Sequence, residues 1–372
     1  MSALSTLVLG SIFFVTGAPG AAPDLSPELK SKADALMQKA VDYYRSVQAE
    51  DGSFGEGDYA PAMTALAITG ILRSGQAPLT DPAVAKGLAF LEKFVQKDGG
   101  VYVAGSNNRN YPTAIALLAF VQANKDHRYD EVIKKAAEYL KSDQWDEKEG
   151  IDPSSPKFGG TGYGGPAKTR PDLSNTAYFL EALEAAGVPK DDPAYKRALI
   201  FVTRCQNLSG EGANDLPNAK LVDDGGFYYT PAQADYNPAG FEPNGGLRSY
   251  ASMTYAGLKS FIHAGLNKDD RRVKAAEEWI KKHYSLAENP GMGQAGLFYY
   301  YHTFAKALDI LAVEEFQASD GSSHDWRKEL ISALAEKQAK DGSWTNPEKR
   351  WMESDGRLTT AYALLALSHA TK

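Results

Sequence analysis

Two kinds of helical segment alternate along this chain. In the first kind, apolar residues recur at helical spacing with charged residues between them, and the segment ends in a Gln and a Gly-aromatic turn. This pattern predicts an amphipathic helix with one face in water. Six such segments occur, over residues 40–54, 86–102, 135–145, 197–207, 274–284 and 329–344. The recurring positions are Gln48, Gln96, Gln144, Gln206 and Gln338, with Tyr284 in place of Gln in the fifth segment.

The second kind of segment is apolar or small almost all round and is centred on a Thr. It follows each amphipathic segment, over residues 63–72, 112–121, 175–183, 253–262, 302–311 and 359–368. The recurring residues are Thr64, Thr113, Thr176, Thr254, Thr303 and Thr360. A helix of this composition is covered by protein on every side. The alternation therefore predicts six pairs of an outer and an inner helix.

A repeat of helix pairs explains how about 350 residues form one domain, since single compact cores stop growing below that size. Each pair packs only on its neighbours, and closing the series into a ring removes the exposed ends. We predict an all-α fold, an (α/α)6 toroid over residues 23–372. The alternative is an open solenoid of six helical hairpins. A solenoid needs polar capping repeats, and neither terminal unit is visibly more polar than the middle ones.

The connections from outer to inner helix differ in length. The interval from Gln to Thr is 16, 17, 32 and 48 residues in the first four repeats and 22 in the sixth, and the fifth measures 19 from Tyr284. Repeats three and four therefore carry inserted loops, residues 146–171 and 207–246. Both loops emerge where inner helices begin, which we call the N-terminal rim. Insertions on one face of a repeat protein commonly build its binding face, and partial disorder is the alternative.

The chain starts with an apolar run over residues 4–15, followed by the small residues TGAPGAA. This pattern is typical of the apolar region and cleavage zone of a secretory signal peptide, and the run is too short to span a bilayer. We expect residues 1–22 to be a signal peptide and the protein to be secreted or periplasmic. The alternative is a disordered leader. No other segment reaches the length of a membrane span.

Charge and cysteine content exclude several classes of partner. The chain has 40 Lys and Arg against 47 Asp and Glu, a net charge of -7, without a run of like charges. This balance argues against nucleic acid as a partner. Cys205 is the single cysteine, which excludes an intramolecular disulfide and a multi-cysteine metal site. We predict no cofactor.

The repeats carry a family resemblance. KGLAFLEKFVQKDGGVY (86–102), the counterparts containing QAEDGSF and QAKDGSW, and the Thr-Ala helices that follow resemble the prenyltransferase and squalene-cyclase repeat, including the QW motif of triterpene cyclases. The resemblance implies an α/α toroid with a central cavity. In physical terms, we expect the Gln to tie its turn to the neighbouring outer helix by hydrogen bonds. The Gly permits the turn, and the aromatic residue packs over it.

Class II triterpene cyclases of this family protonate an alkene with the central Asp of a DxDDTA motif. The matching stretch here is PDLSNTA (171–177), which keeps the first Asp as Asp172. Ser174 and Asn175 stand at the next two acidic positions. A serine is far too weak an acid to protonate an alkene, so the known cyclase mechanism is not expected. Asp172 also fits a second interpretation, as the N-cap of its helix.

Protein prenyltransferases with the same repeat bind zinc through an Asp, a Cys and a His. The segment YYYHTFAKALDIL (299–311) resembles the helix that carries the His and puts His302 at that position. Leu247 and Ser249 stand where the Asp and the Cys belong. One ligand of three does not hold a catalytic zinc ion, so we predict no metal site. The alternative role for His302 is a hydrogen-bonded histidine at the start of an inner helix.

Tyrosines and arginines dominate the residues that open the inner helices on the N-terminal rim. Such residues bind an isoprenoid chain, a sugar ring or a cation through the aromatic face, and carboxylate, sulfate or phosphate through the guanidinium. The alternative for the arginines is ion pairing with Asp58, Asp172 or Asp355. Asp172 and His302 are also the candidate catalytic residues. The candidate ligand-binding residues are Tyr59, Arg109, Tyr111, Asp172, Asn175, Arg248, Tyr250, Tyr301, His302 and Arg357.

These observations leave three functions open. The first is an exported protein that binds a small apolar or isoprenoid ligand in the central cavity and lacks the family's catalytic acid and zinc ligands. The second is a polysaccharide lyase or hydrolase on the same toroid, a hypothesis that rests on fold analogy. Its candidate residues are Asp172, Asp223, Asp224 and His302. The third is a scaffold that binds a protein partner through the rim loops.

Overall fold

The computed structural model describes residues 25–165 and 170–372. The predicted signal peptide, 1–22, lies outside the described residues. Within them the helices are α1 Pro27–Val47, α2 Ala60–Ser74, α3 Pro82–Glu92, α4 Asn110–Ala123, α5 Asp130–Ser142, α6 Leu173–Ala185, α7 Pro193–Arg204, α8 Ala219–Val222, α9 Ala251–His263, α10 Arg271–Lys282, α11 Leu297–Ile310, α12 Trp326–Lys337 and α13 Gly356–Ala370. Short 3-10 turns lie at Gly57–Tyr59, Glu147–Glu149, Ala234–Tyr236 and Arg350–Met352. Strands β1 (Phe316–Gln317) and β2 (Ser323–His324) form an antiparallel hairpin.

Six helices form the inner wall of a closed ring. Each of α2, α4, α6, α9, α11 and α13 packs against the next, and α13 packs against α2. Helices α1, α3, α5, α7, α10 and α12 lie outside them, and α1 packs against both α12 and α13. The predicted (α/α)6 toroid is confirmed, and the open solenoid is not observed.

The two kinds of helix bury residues as their sequence patterns predict. Inner helix α13 is buried without interruption from Leu358 to Ala370. Outer helix α10 buries only Val273, Ala276, Trp279 and Ile280, which form one stripe at helical spacing. Apolar burial on one face therefore holds the outer helices, and burial on every face holds the inner ones.

The recurring Gln residues join consecutive outer helices. The Gln48 Nε2 donates to the carbonyl of Gly52 in its own turn at 3.0 Å and to that of Ala83 in α3 at 2.8 Å. Gln144, Gln206 and Gln338 form the same pair of bonds in their repeats. The bond from Gln338 reaches Leu36 in α1 at 2.9 Å and so links the last repeat to the first. The predicted role is confirmed at these four positions, whereas the Gln96 Nε2 bonds to Phe94 and Tyr102 near its own turn.

The recurring Thr residues join the same turns to the inner helices. The backbone N–H of Phe54, in the first Gln turn, donates to the Thr64 hydroxyl at 3.0 Å. The corresponding bonds in the described repeats run from Val101 to Thr113, from Thr161 to Thr176, from Phe227 to Thr254 and from Trp344 to Thr360. In the first, third, fourth and sixth repeats the turn is therefore held from both sides, by the next outer helix and by its own inner helix.

The fifth repeat makes its link differently. The Tyr284 hydroxyl donates to a carboxylate oxygen of Glu329 in α12 at 2.7 Å. The Tyr284 ring stacks on Phe316 of the hairpin, with centroids 4.7 Å apart. A side-chain bond and an aromatic contact thus replace the Gln at this position.

A glycine allows each of these turns to approach the next outer helix. Gly342 has a φ of +91°, and a Cβ built on it would lie 2.2 Å from the carbonyl oxygen of Lys39 in α1. Gly321 has a similar φ of +85°, but a Cβ there would meet nothing within 4 Å. Both glycines have a left-handed backbone conformation, but only Gly342 lies close to a neighbouring helix.

We expect Gly342→Ala to lower the free energy of unfolding by about 3 kcal/mol or more, because the alanine must push α1 away from α12. The matched variant Gly321→Ala is expected to cost about 1 kcal/mol, the cost of the backbone conformation alone. Urea unfolding followed by circular dichroism measures both. Equal losses in the two variants would contradict a tight contact at the closure of the ring.

Candidate functional site

A cavity of about 210 Å³ lies in the centre of the ring at the N-terminal rim. We call it the tyrosine cavity, because its described lining is dominated by phenol rings. The lining residues are Tyr59, Ala62, Met63, Leu66, Tyr111, Tyr163, Ser174, Tyr229, Tyr250, Ser252, Met253, Tyr299, Trp351, Met352, Glu353, Leu358 and Tyr362.

The inner helices and the two long loops bring these tyrosines together. Tyr111 and Tyr299 lie in the first turns of α4 and α11, and Tyr362 lies in the second turn of α13. Tyr163 comes from loop 146–171 and Tyr229 from loop 207–246. Both inserted loops therefore reach the cavity.

Backbone hydrogen bonds at helix N termini hold the two loop tyrosines. The carbonyl of Tyr163 accepts from the N–H groups of Arg109 and Asn110 at 2.8 and 2.9 Å, at the start of α4. The carbonyl of Tyr229 accepts from the N–H of Leu173, the first residue of α6, at 2.9 Å. The first N–H groups of a helix have no partner within it, so the loops satisfy them and are positioned by them.

The phenol groups make a polarisable but uncharged wall. Tyr299 and Tyr362 meet edge to face with centroids 5.6 Å apart, and Tyr111 meets Tyr178 in the same way at 5.6 Å. Burial raises the pKa of Tyr111 to about 12 and also raises that of Tyr299. These tyrosines are therefore neutral at physiological pH.

Glu353 is the only carboxylate among the described lining residues, and it is engaged in structure. It accepts from the N–H of Tyr299 at 2.8 Å and from the side-chain amide of Asn346 at 2.7 Å. Burial raises its pKa, and the N-terminal N–H groups of α11 oppose that shift. Glu353 thus caps α11, whose own N-cap residue, Gly296, has no side chain.

The mouth of the tyrosine cavity is apolar and partly exposed. Tyr59, Trp351 and Met352 line the cavity and are 44%, 45% and 40% exposed. Trp351 and Met352 adopt φ angles of +56° and +63°, which are uncommon for residues other than glycine. Their side chains lie at the entrance because the segment turns sharply before Glu353.

The structure places three of the ten candidate ligand-binding residues, Tyr59, Tyr111 and Tyr250, on the wall of the tyrosine cavity. A fourth aromatic candidate, Tyr301, lies elsewhere. It is fully buried, and its hydroxyl donates to the carbonyl of Leu286 at 2.6 Å.

The three candidate arginines are engaged away from the cavity wall. Arg357 pairs with Asp355 at 2.8 Å, as the alternative interpretation predicts. Arg248 pairs with Glu242 at 3.1 Å. Arg109 donates to the carbonyl of Ser106 at 2.8 Å and lies over the Tyr102 ring.

Asp172 and Asn175 bond to each other at the start of α6. One Asp172 oxygen accepts from the Asn175 N–H at 2.9 Å, and the other accepts from the Asn175 side-chain amide at 2.8 Å. Asp172 is therefore the N-cap of α6, as the second interpretation predicts. It is fully buried, and burial raises its pKa to about 6 although the bonds from Asn175 lower it.

The candidates for glycan chemistry do not meet in one cavity. Asp223 accepts from the N–H and hydroxyl of Ser209, and Asp224 accepts from the Trp279 indole at 3.0 Å. Asp172 faces Asn175. His302 lies in a different cavity, which is described next.

A second cavity of about 180 Å³ occupies the centre of the ring nearer the ends of the inner helices. We call it the lower cavity. Leu66 lines both cavities, and His302 lines the lower one. His302 is buried, and its Nδ1 has no hydrogen-bond partner in the described part of the chain. Burial and the nearby Lys259 and Lys306 lower its pKa, so the ring is neutral.

Tyr163, Tyr229, Tyr299 and Tyr362 also line the tyrosine cavity but are not among the residues predicted from the sequence. Tyr299 precedes Thr303 by one helical turn, as Tyr250 precedes Thr254, so alignment of the repeats on the Thr could have identified it. The two loop tyrosines lie outside the repeat and had no such signal.

Comparison with known proteins supports the family resemblance. The family model described as squalene-hopene cyclase C-terminal domain matches residues 58–220. A probable squalene–hopene cyclase of Sinorhizobium fredii is 32% identical over 149 residues, which are 40% of this chain and 22% of that protein. The predicted resemblance to the squalene-cyclase repeat is thus confirmed, and the matched stretch spans about a fifth of the relative's length.

Solved structures share the fold at low identity. The apo form of the type II terpene cyclase MstE from Scytonema is 12% identical, with a TM-score of 0.56 over 92% of this chain and 98% of that chain. Cellobiose 2-epimerase from Bacillus thermoamylovorans is 11% identical, with a TM-score of 0.55 over 92% and 99% of the two chains. The toroid therefore serves proteins of unlike chemistry. Within residues 25–165 and 170–372, no helix is both long and apolar enough to cross a bilayer.

The raised pKa of Asp172 gives a test by pH. The folded carboxyl keeps its proton up to about pH 6, whereas the unfolded one loses it near pH 4, so the native state loses stability as pH rises between these values. Asp172→Asn removes this titration and still offers a capping oxygen. We expect the stability of the wild type relative to the variant to fall by about 2 kcal/mol from pH 4.5 to pH 7, measured by urea unfolding. A difference in unfolding free energy between the wild type and Asp172→Asn that does not change with pH would contradict the raised pKa of Asp172.

Proposed function

We propose that this protein binds an apolar, isoprenoid-type ligand in the tyrosine cavity and does not perform class II cyclase chemistry. The tyrosine cavity itself carries the proposal. Neutral phenol rings, Met63, Met253 and Leu358 surround it, and its mouth is formed by exposed apolar side chains. Electron-rich aromatic faces and methionine side chains suit a flexible unsaturated hydrocarbon better than a hydrated ligand.

The volume of the cavity limits what is enclosed. A cavity of about 150 Å³ accommodates a benzene molecule, so 210 Å³ holds a segment of about two isoprene units. A longer chain would leave the cavity through the mouth, between Tyr59 and the Trp351–Met352 segment. We therefore expect the protein to enclose one end of a long prenyl chain.

The groups that face the cavity support binding without alkene protonation. Ser174 lines the cavity at the position where the resemblance places the catalytic acid, and its hydroxyl lies 3.0 Å from that of Tyr299. Glu353 is held by the N terminus of α11. Asp172 bonds to Asn175 and interacts with the hydroxyl of Tyr229, and it does not itself line the cavity. An alkene needs an acid far stronger than a serine or tyrosine hydroxyl, so the described lining of the cavity lacks the proton source of a class II cyclase.

We also propose that the protein is secreted or periplasmic, on the basis of the signal-like residues 1–22. Sequencing the amino terminus of the protein purified from its native source tests this. A mature start between residues 20 and 24 is expected, and an intact Met1 would contradict the proposal.

We expect Ala62→Leu to weaken geraniol binding at least tenfold, because the added carbons fill the cavity from the buried face of α2. The matched control is Ala333→Leu, on outer helix α12. It makes the same change at a partly exposed site away from the cavity. Isothermal titration with geraniol measures the affinity of both variants. Equal affinity in the two variants would place the ligand elsewhere.

We expect the wild-type protein to form no cyclised product from squalene or geranylgeraniol. The physical reason is that, among the described lining residues, Ser174 stands at the position of the catalytic acid and the only carboxylate, Glu353, caps α11. Gas chromatography with mass spectrometry of the organic extract, compared with a heat-inactivated sample, measures this. A cyclic product that requires folded protein would overturn the second half of the proposal.

A further inference from the structure

The lower cavity combines an aliphatic wall with a polar wall. Ile115, Leu118, Val121 and Leu365 form the aliphatic side. Arg73, Tyr178, His302 and Lys306 lie on the polar side. Arg73 and Leu118 are partly exposed, and Glu184 is exposed, so the cavity is open to solvent on this side.

Positive charge exceeds negative charge around this cavity. Glu181 is buried and forms ion pairs with Lys259, at 3.0 Å, and with Lys306. Both lysines are buried beside this one carboxylate, and burial lowers the pKa of Lys306 to about 7. The other lining carboxylate, Glu184, is engaged by Lys190 at 3.1 Å and by His263.

Arg73 adds a further positive charge, on which the carboxylates of Glu181 and Asp309 act without direct contact in the described part of the chain. No ion pair or hydrogen bond joins its guanidinium to the residues that the structure describes, while most other buried or half-buried cations are paired. Burial lowers its pKa, which means that its charge is incompletely solvated. A planar guanidinium in this state is suited to bind a carboxylate through two parallel hydrogen bonds.

Two buried polar atoms on the same wall also lack a partner. The Tyr178 hydroxyl and the His302 Nδ1 make no hydrogen bond within the described ranges. Most buried polar groups in native proteins are satisfied, so such groups around a cavity indicate a bound polar molecule. Both side chains line the lower cavity and are at least 97% buried.

The ends of the inner helices do not account for this arrangement. Arg73 and His263 lie in the last turns of α2 and α9, where helix dipoles favour positive charge. The helix dipoles explain why the residues at these helix ends are positively charged. They do not explain why the Arg73 guanidinium donates to none of the described carbonyls at these helix ends, nor why Tyr178 and His302 are unsatisfied.

We propose that the lower cavity binds a small organic carboxylate. Its carboxylate group lies against Arg73 and Lys306, within reach of Tyr178 and His302. Its apolar part lies on the aliphatic wall. The volume, about 180 Å³, is close to that of a cavity that holds benzene, so the ligand has about six carbons. This site is separate from the tyrosine cavity and does not rest on the function proposed for it.

Hexanoate, hexanol and hexylamine test whether the lower cavity prefers a negatively charged ligand, because the three compounds share one alkyl chain and differ only in the head group. Isothermal titration of the full chain is expected to show hexanoate binding at least tenfold more tightly than hexanol, with hexylamine weakest. Arg73→Gln is expected to weaken hexanoate at least tenfold and to leave hexanol little changed. Arg128→Gln, on the outside of the ring, serves as the matched control and is expected to bind like the wild type.

A second variant covers the case in which Arg73→Gln fails to fold. Leu118→Trp fills the cavity from its partly exposed aliphatic wall without removing a charge, and it is expected to abolish hexanoate binding. Circular dichroism establishes the fold of each variant. Equal binding of hexanoate and hexanol by the wild type would overturn the proposal. Loss of hexanoate binding in Ala62→Leu, with Leu118→Trp unaffected, would place the ligand in the tyrosine cavity and overturn it as well.

Discussion

The hydrogen bond from a turn glutamine to the next outer helix is the interaction on which the rest of the ring depends. The same side-chain amide also donates to a carbonyl of its own turn. Together the two bonds satisfy two carbonyls that the packing of consecutive helices removes from water, and leaving these carbonyls without partners would be costly. Because a Thr hydroxyl binds the same turn from the inner side, each turn also sets where the following inner helix begins. The position along the ring axis at which each inner helix begins determines which tyrosines face the centre of the ring.

The centre of the toroid is divided rather than open from rim to rim. Leu66, Tyr111, Tyr178 and Tyr362 lie where the two cavities approach each other, and the His302 ring lies 6.0 Å from that of Tyr362. Above this layer the described lining is mainly aromatic and apolar, and its one carboxylate, Glu353, caps α11. Below it the lining carries buried charge. The same twelve helices therefore present two chemically different environments, because the Glu, Lys and Asp residues of α6, α9 and α11 all lie in the later turns of these helices.

The repeat made the architecture predictable, whereas the direction of single side chains was not. Tyr299 and Tyr301 both open α11, but two residues turn a helix by about 200°, so one faces the cavity and the other faces outward. Loop tyrosines such as Tyr163 lie outside any period. The lower cavity was overlooked because Glu181, Lys259 and Lys306 stand singly within apolar segments, and their ion pairs form only when three inner helices come together.

The contact of α13 with α2 and the bond from Gln338 to Leu36 have a consequence for how the protein unfolds. In an open array of repeats, an end unit has one neighbour and detaches at the cost of one interface. In a closed ring every unit has two, so releasing any of them breaks two interfaces and opens the core to water. Fraying from an end has no counterpart here. We therefore expect the six repeats to lose their native structure together rather than one by one.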